Sequence, residues 1–250
     1  MPDLPATHLL LAVALAFGLA GIVKGVLGLG LPTLAMGLLG LFMAPSQAAA
    51  ILILPSLVTN VWQLFGGPSL GGLTRRLWPM HAGICAGTVA GAGQLATVDP
   101  ALAAAALGSA LAAYALLGLS GVGFPAPASA ERWLSPLMGL LTGLVAAVTG
   151  VFVIPAVPYL QSLGLARDEL VQALALSFTV STLALTVGLA GAGVYDAGLT
   201  GASVLAVLPA LLGMWAGQRV RAGLGARSFR RWFFAGLLAL GLAMLWRAIG

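Results

Sequence analysis

Apolar residues run along this chain in long stretches, separated by short polar punctuation. Eight stretches stand out: 8–43, 47–65, 78–97, 101–120, 133–163, 170–191, 199–216 and 229–248. Most approach the ~20 residues that an α-helix needs to cross a hydrocarbon core of ~30 Å. Two are too long for a single pass. At 1.5 Å per residue, 8–43 would extend about 54 Å as one helix and 133–163 about 46 Å. Each holds helix breakers: Gly25, Gly28, Gly30 and Pro32 in the first, Gly150, Pro155 and Pro158 in the second. Proline lacks an amide donor and clashes with the preceding turn. Each long stretch is therefore expected to fold as two helices, the second of them short.

The polar punctuation sets the direction of crossing. Arg75 and Arg76 mark one basic loop, and Arg219, Arg221, Arg227, Arg230 and Arg231 mark another. The positive-inside rule puts both in the cytoplasm, so an even number of crossings must separate them. The stretches 78–97, 101–120, 170–191 and 199–216 supply four crossings. The stretch 133–163 must then cross twice or not at all; twice fits its length, and by symmetry 8–43 also crosses twice. The expectation is ten crossings with both termini outside, and with the loops at Asp99 and Asp196 on the outer face.

The chain also repeats itself. At an offset of 122, Gly21 falls on Gly143, Gly28 on Gly150, Thr59 on Ser181 and Asn60 on Thr182, and Pro32 matches Pro155 within one residue. Gly87–Gly91 and Gly213–Gly217 form similar Gly-xxx-Gly runs. Five crossings per half, an odd number, would turn the second half upside down. The expected fold is an all-α polytopic membrane protein of two inverted repeats, each with about five membrane-crossing helices. Its helices break at Gly28–Pro32 and Thr149–Pro155. The repeats are 1–121 and 133–250, joined by a linker, 122–132, that contains Pro125 and Pro127.

Composition narrows the class. Only 7 % of the 250 residues are charged, eleven basic and six acidic, while 60 % are apolar, and the mean hydropathy is +1.08. Soluble domains carry about 25 % charge, and a globule of this size could not coat its surface with so little. A soluble enzyme, a nucleic-acid binder and a disordered chain are excluded. The net charge of +5 does not reverse this, because the bases sit in short clusters and not along a wettable face.

Inverted repeats with interrupted helices are the architecture of many secondary transporters, whose sites lie near the breaks. A helix N-terminus presents free N–H groups and about half a positive charge. New helices would begin behind Gly28-Leu29-Gly30-Leu31-Pro32 and behind Thr149-Gly150. Two such ends converging would suit a small anion; the competing reading is that the glycines only let helices pack closely. Ser56, Thr59, Asn60 and Gln63 are spaced i, i+3, i+4, i+7 and share one helical face; Ser177, Ser181 and Thr182 are the counterpart. Such groups either line a wet cavity or bond between helices. Lys24 is the only lysine. It either helps hold an anion at the Gly28 break or snorkels to the nearby face. The candidate substrate-binding set is Lys24, Gly28, Gly30, Pro32, Thr59, Asn60, Gln63, Thr149, Gly150, Ser181 and Thr182. His8 and His81 lie near span ends and read as interfacial, and Trp62, Trp78, Trp133, Trp232 and Trp246 read as interfacial anchors or packing.

No catalytic residue, metal or cofactor is expected. Gly118-Leu119-Ser120-Gly121 matches the GxSG of intramembrane serine proteases, but that chemistry needs a later histidine and none follows His81. No pair of intramembrane carboxylates and no His/Cys/carboxylate cluster stands out.

The segment Gly21-Ile22-Val23-Lys24-Gly25-Val26-Leu27-Gly28-Leu29-Gly30-Leu31-Pro32, with Pro45-Ser46-Gln47-Ala48-Ala49 and Asn60, resembles the TauE/SafE family of sulfite exporters. The second copy, Gly143 to Pro155, is similar to that family's second glycine-rich motif. The resemblance covers nearly the whole chain, although Leu29, Leu31 and Val151-Phe152 stand where many members have fuller glycine runs. It implies movement of sulfite, sulfoacetate or another organosulfur anion across the bacterial cytoplasmic membrane, in a lipid bilayer, as the two halves rock about the site. The alternatives are a carrier of another small anion such as a carboxylate, a channel, or a structural membrane subunit without carrier activity.

Overall fold

The computed structural model describes residues 6–91, 93–122, 128–194, 197–221 and 226–249. Pro125 and Pro127 of the expected linker, and the loop residue Asp196, lie outside these. No strand occurs among the described residues. The helices are α1 (Ala6–Leu27), α2 (Leu31–Leu39), α3 (Pro45–Phe65), α4 (Leu70–Ala90), α5 (Gln94–Thr97), α6 (Pro100–Ser120), α7 (Glu131–Thr149), α8 (Ala156–Ser162), α9 (Arg167–Gly191), α10 (Ala197–Val220) and α11 (Ala226–Ile249), with a 3-10 turn before α7. Seven of them, α1, α3, α6, α7, α9, α10 and α11, are long and apolar enough to cross a membrane.

Both long stretches break where glycine and proline lie. Gly28 and Gly30 have φ of +81° and +103°, in the left-handed region that glycine enters freely. Pro32 sits in the first turn of α2, where a missing N–H leaves no helix bond unmade. Gly150, with φ +71°, ends α7, and residues 151–154 run without helix before α8. The second pieces have nine and seven residues, about 13 Å and 10 Å long at the α-helical rise. Neither helix is long enough to span the core alone.

One boundary differs from expectation. The stretch 78–97 is not one helix: α4 begins eight residues earlier, at Leu70, and 94–97 form the separate α5. Arg75 and Arg76 are thus inside a helix, not in a loop. Long basic side chains reach water from a helical backbone, and Arg76 forms a two-pronged pair with Glu131 at the start of α7, Nε–Oε1 2.6 Å and Nη2–Oε2 2.8 Å. The second basic cluster behaves alike: Arg219 closes α10, and Arg227, Arg230 and Arg231 fall in the opening turns of α11. The two clusters lie at the same end of the bundle, its basic end.

The long helices pair in a regular way. α1 runs parallel to α10, α4 parallel to α7, α6 antiparallel to α11, and α3 packs against α9 in the middle. The first two pairs are drawn to backbone contact by glycine. A Cβ on Gly21 or Gly25 would overlap the main chain of Ala210–Gln218, and one on Gly83 or Gly87 that of Pro136–Leu144. Such small-residue seams hold helices together where lipid offers no hydrophobic drive. Gly21, Gly25 and Gly143 thus bring backbones together, and Gly28, Gly30 and Gly150 mark the helix breaks.

Candidate functional site

The centre of the bundle is built around α3, whose polar face of Ser56, Thr59, Asn60 and Gln63 is buried. Pro55 sits in the middle of this helix and cannot donate to the carbonyl one turn back. Ser203 of α10 replaces that bond, its hydroxyl donating to the Ile51 carbonyl at 2.8 Å. One residue beyond the proline the polar face begins.

Lys24 of α1 points onto that face and is fully buried. Its ammonium donates to Thr59 Oγ1 at 3.1 Å and to Asn60 Oδ1. Asn60 Nδ2 donates to Ser56 Oγ at 3.2 Å. The Thr182 hydroxyl on α9 is committed to the Phe178 carbonyl at 2.6 Å, so in the 3.2 Å contact between Ser56 and Thr182 it is Ser56 that donates. A directed relay thus crosses three helices, from α1 through α3 to α9. Ser181, next to Thr182, is buried, and its hydroxyl has no partner.

Gln63, one turn further along α3, donates from Nε2 to the Gly28 carbonyl at 3.3 Å, while its Oε1 has no partner. It lines a cavity of about 180 Å³ at the basic end, together with Gly25, Gly28, Asp168, Gln218 and Arg221. The inner wall of this cavity is one helical turn from Lys24. Thr33, in the first turn of α2, is another buried hydroxyl without a partner. Gly30 packs near Val23 and Phe233, and Pro32 is buried.

The second break is elsewhere. Gly150 lies against Met36, Ala49 and Leu95, an apolar setting. Thr149 spends its hydroxyl on the backbone, donating to Val145 O at 2.7 Å and accepting from Val151 N at 3.1 Å. Gly28 is bonded to Gln63 and Gly150 touches Ala49, fourteen residues apart on α3, so the breaks are separated by about 21 Å along that helix. They do not converge on one small anion. Lys24, Thr59, Asn60 and Thr182 come together with Ser181 beside Thr182; Gly28 and Gln63 form the approach; Thr149 and Gly150 stand apart.

A match to a family model described as "Sulfite exporter TauE/SafE" covers residues 13–244. The chain belongs to the TauE/SafE family. No curated protein and no solved structure matches it. Within this TauE/SafE chain the family assignment makes the buried polar cluster part of a membrane transport protein.

Several residues of this TauE/SafE site are not evident from sequence. His81 read as interfacial because the helix was expected to start at 78. In α4 it sits mid-helix, buried, with Nε2 3.1 Å from Ser177 Oγ of α9. Gln172 of α9 ties the end of α3 to the start of α4, donating to Leu64 O at 2.7 Å and accepting from Ser69 N at 2.8 Å. Ser203 carried no signal, since its role depends on a proline far away in the chain. The five tryptophans named as anchors are all exposed on the outside of the bundle.

Proposed function

We propose that this TauE/SafE protein carries a sulfite-type or small organosulfur anion across the bacterial cytoplasmic membrane by alternating access, with Lys24 at the seat of the anion. The observation that carries the reading is the isolation of that ammonium. Its two partners are neutral oxygens. The carboxylates Asp99, Glu131, Asp168 and Glu169 all lie at helix starts. Lys24 lies in the last turn of α1 yet is fully buried; a buried ammonium without a counter-ion is costly, and an entering anion supplies the missing counter-charge. An ammonium has three donors. Thr59 and Asn60 take two, and the third meets the anion.

The helix pairing supports the inverted halves. Exchanging the first half for the second turns the α1–α10 pair into α7–α4, and returns α3–α9 and α6–α11 to themselves. With α2 and α8 counted as return passes, each half crosses five times, and the arginines place the basic end in the cytoplasm. The cavity beside Gln63 is then the cytoplasmic approach. The bodies that move are the glycine-sealed pairs α1–α10 and α4–α7, each made of one helix from either half, sliding past the α3–α9 core.

The test is uptake of labelled sulfite into proteoliposomes, with Lys24→Ala and Asn60→Ala beside the wild type. Saturable uptake, accelerated by unlabelled sulfite on the far side and lost in both variants, is the expected result. Uptake undiminished in both variants removes these residues from the site; flux that never saturates removes the carrier.

A further inference from the structure

A larger cavity, of about 600 Å³, also opens at the basic end, bounded by α6, α8, α9 and the two helices that meet near Arg221. Much of its wall is apolar, with Leu29, Leu174 and Phe234 among the lining residues. Three charged side chains line it, all cationic: Arg167 from the first turn of α9, Arg221 just past α10, and Arg230 from the opening turns of α11. No carboxylate lines it. The only ion pair among the described residues is Arg76–Glu131, so none of the three is neutralised within the chain. Arg221 is half-buried. Its burial and the nearby Arg167 pull its pKa below the usual guanidinium value, and Asp168, which faces the smaller cavity, pulls it back up.

Marking the cytoplasmic face requires arginines at this end, but not their convergence. Here three arginines line one concave, largely apolar space with no carboxylate among its lining residues, and an anion entering it eases their mutual repulsion. Arg221 and Val171 line both cavities, so the larger space adjoins the smaller one beside Gln63. We propose that Arg167, Arg221 and Arg230 form a second anion site, which takes up an oxyanion at the basic end before it moves on toward Lys24. The role in transport rests on the function proposed above; the oxyanion chemistry does not. The occupant is either a free sulfite-type ion, which then moves on, or the phosphate of an anionic lipid headgroup, which presents the same oxygens and stays at the surface.

Equilibrium binding of labelled sulfite to the full-length protein in nanodiscs tests this. It is run at low and high salt with wild type, Lys24→Met, and the triple variant Arg167→Gln, Arg221→Gln, Arg230→Gln. The triple Lys variant at the same positions keeps the charge and controls for folding. Lys24→Met should retain a salt-sensitive component that the Gln variant loses and the Lys variant keeps, since screening shortens from ~10 Å at 0.1 M to ~3 Å at 1 M salt. In proteoliposomes, the half-saturating sulfite concentration at the basic side should rise about tenfold in the Gln variant, the low end of electrostatic steering, with the maximal rate retained and the opposite side unaffected. Phosphatidylcholine discs and phosphatidylglycerol discs separate the two sources. Arginine-dependent sulfite binding in both assigns the site to the free ion. Binding in phosphatidylcholine that phosphatidylglycerol abolishes assigns it to a headgroup. A Gln variant that matches wild type in binding, salt dependence and half-saturation overturns the site. If Lys24→Met transports normally while the Gln variant loses binding, the Lys24 reading fails and the arginine site stands.

Discussion

Replacing Lys24 with methionine separates three roles for the residue, because each predicts a different pair of outcomes. Methionine keeps most of the stem volume and removes the charge. In the empty protein this takes away a fully buried ammonium that has only neutral partners. Losing the donor leaves Asn60 Oδ1 unpaired, at about 1–3 kcal/mol. Removing the uncompensated ion relieves a desolvation penalty of several kcal/mol. The second effect wins, so the variant should melt at the wild-type temperature or above it. With the anion bound the balance reverses. Taking one partner from a buried ion pair costs about 3–5 kcal/mol, which is roughly 150-fold to 4000-fold in affinity at 1.4 kcal/mol per decade. Sulfite should therefore raise the melting temperature of the wild type, by mass action, and raise that of Lys24→Met much less, the remainder being the salt-sensitive part, while the half-saturating concentration for uptake climbs at least 100-fold. A purely structural lysine would lower the melting temperature on substitution. A snorkelling lysine would change neither quantity. Wild-type uptake together with wild-type stabilisation by sulfite would refute the assignment.

Ser203→Ala should cost about 1–3 kcal/mol, because the Ile51 carbonyl beside Pro55 is then left unpaired; in a Pro55→Ala background, where the helix recovers its own donor, the cost should largely vanish, and a double-mutant cycle of melting temperatures reads the coupling. Gly21→Leu should destabilise by about 3 kcal/mol or more, since its side chain meets the α10 backbone, whereas Gly18→Ala, which meets nothing, should be neutral or gain up to ~1 kcal/mol of helix propensity; equal stability of the two variants would sink the seam. Arg76→Gln should shift stability by under ~1 kcal/mol, because the Arg76 side chain is 40 % exposed, and the shift should shrink further in 1 M salt.

Much of this architecture is written in local chemistry. Gly28, Gly30, Pro32 and Gly150 mark helix ends because only a residue without a Cβ, or one without an N–H, suits those turns, and such constraints are visible in one sequence. The spacing of Ser56, Thr59, Asn60 and Gln63 likewise defines a face without any partner. What was not legible depends on distant residues. α4 overshoots its apolar stretch, so that Arg76 lies in the helix and meets Glu131 fifty-five positions away, and that shift turns His81 from an end residue into a central one. The relation of the two breaks is also invisible in sequence: Gly150 falls on Gly28 at the offset of 122, yet the two lie at different levels along α3. Ser203 has meaning only beside a carbonyl that Pro55 leaves free.

The glycine seams also dictate an order of assembly. α4 meets its partner α7 about 60 residues later in the chain, but α1 must wait about 190 residues for α10. At ~5–20 residues per second of synthesis, that wait is roughly 10–40 s. Throughout it, the small-residue face of α1 has no match. α10 therefore closes the structure around α1, and a chain cut short before α10 leaves the lysine helix without its longest contact.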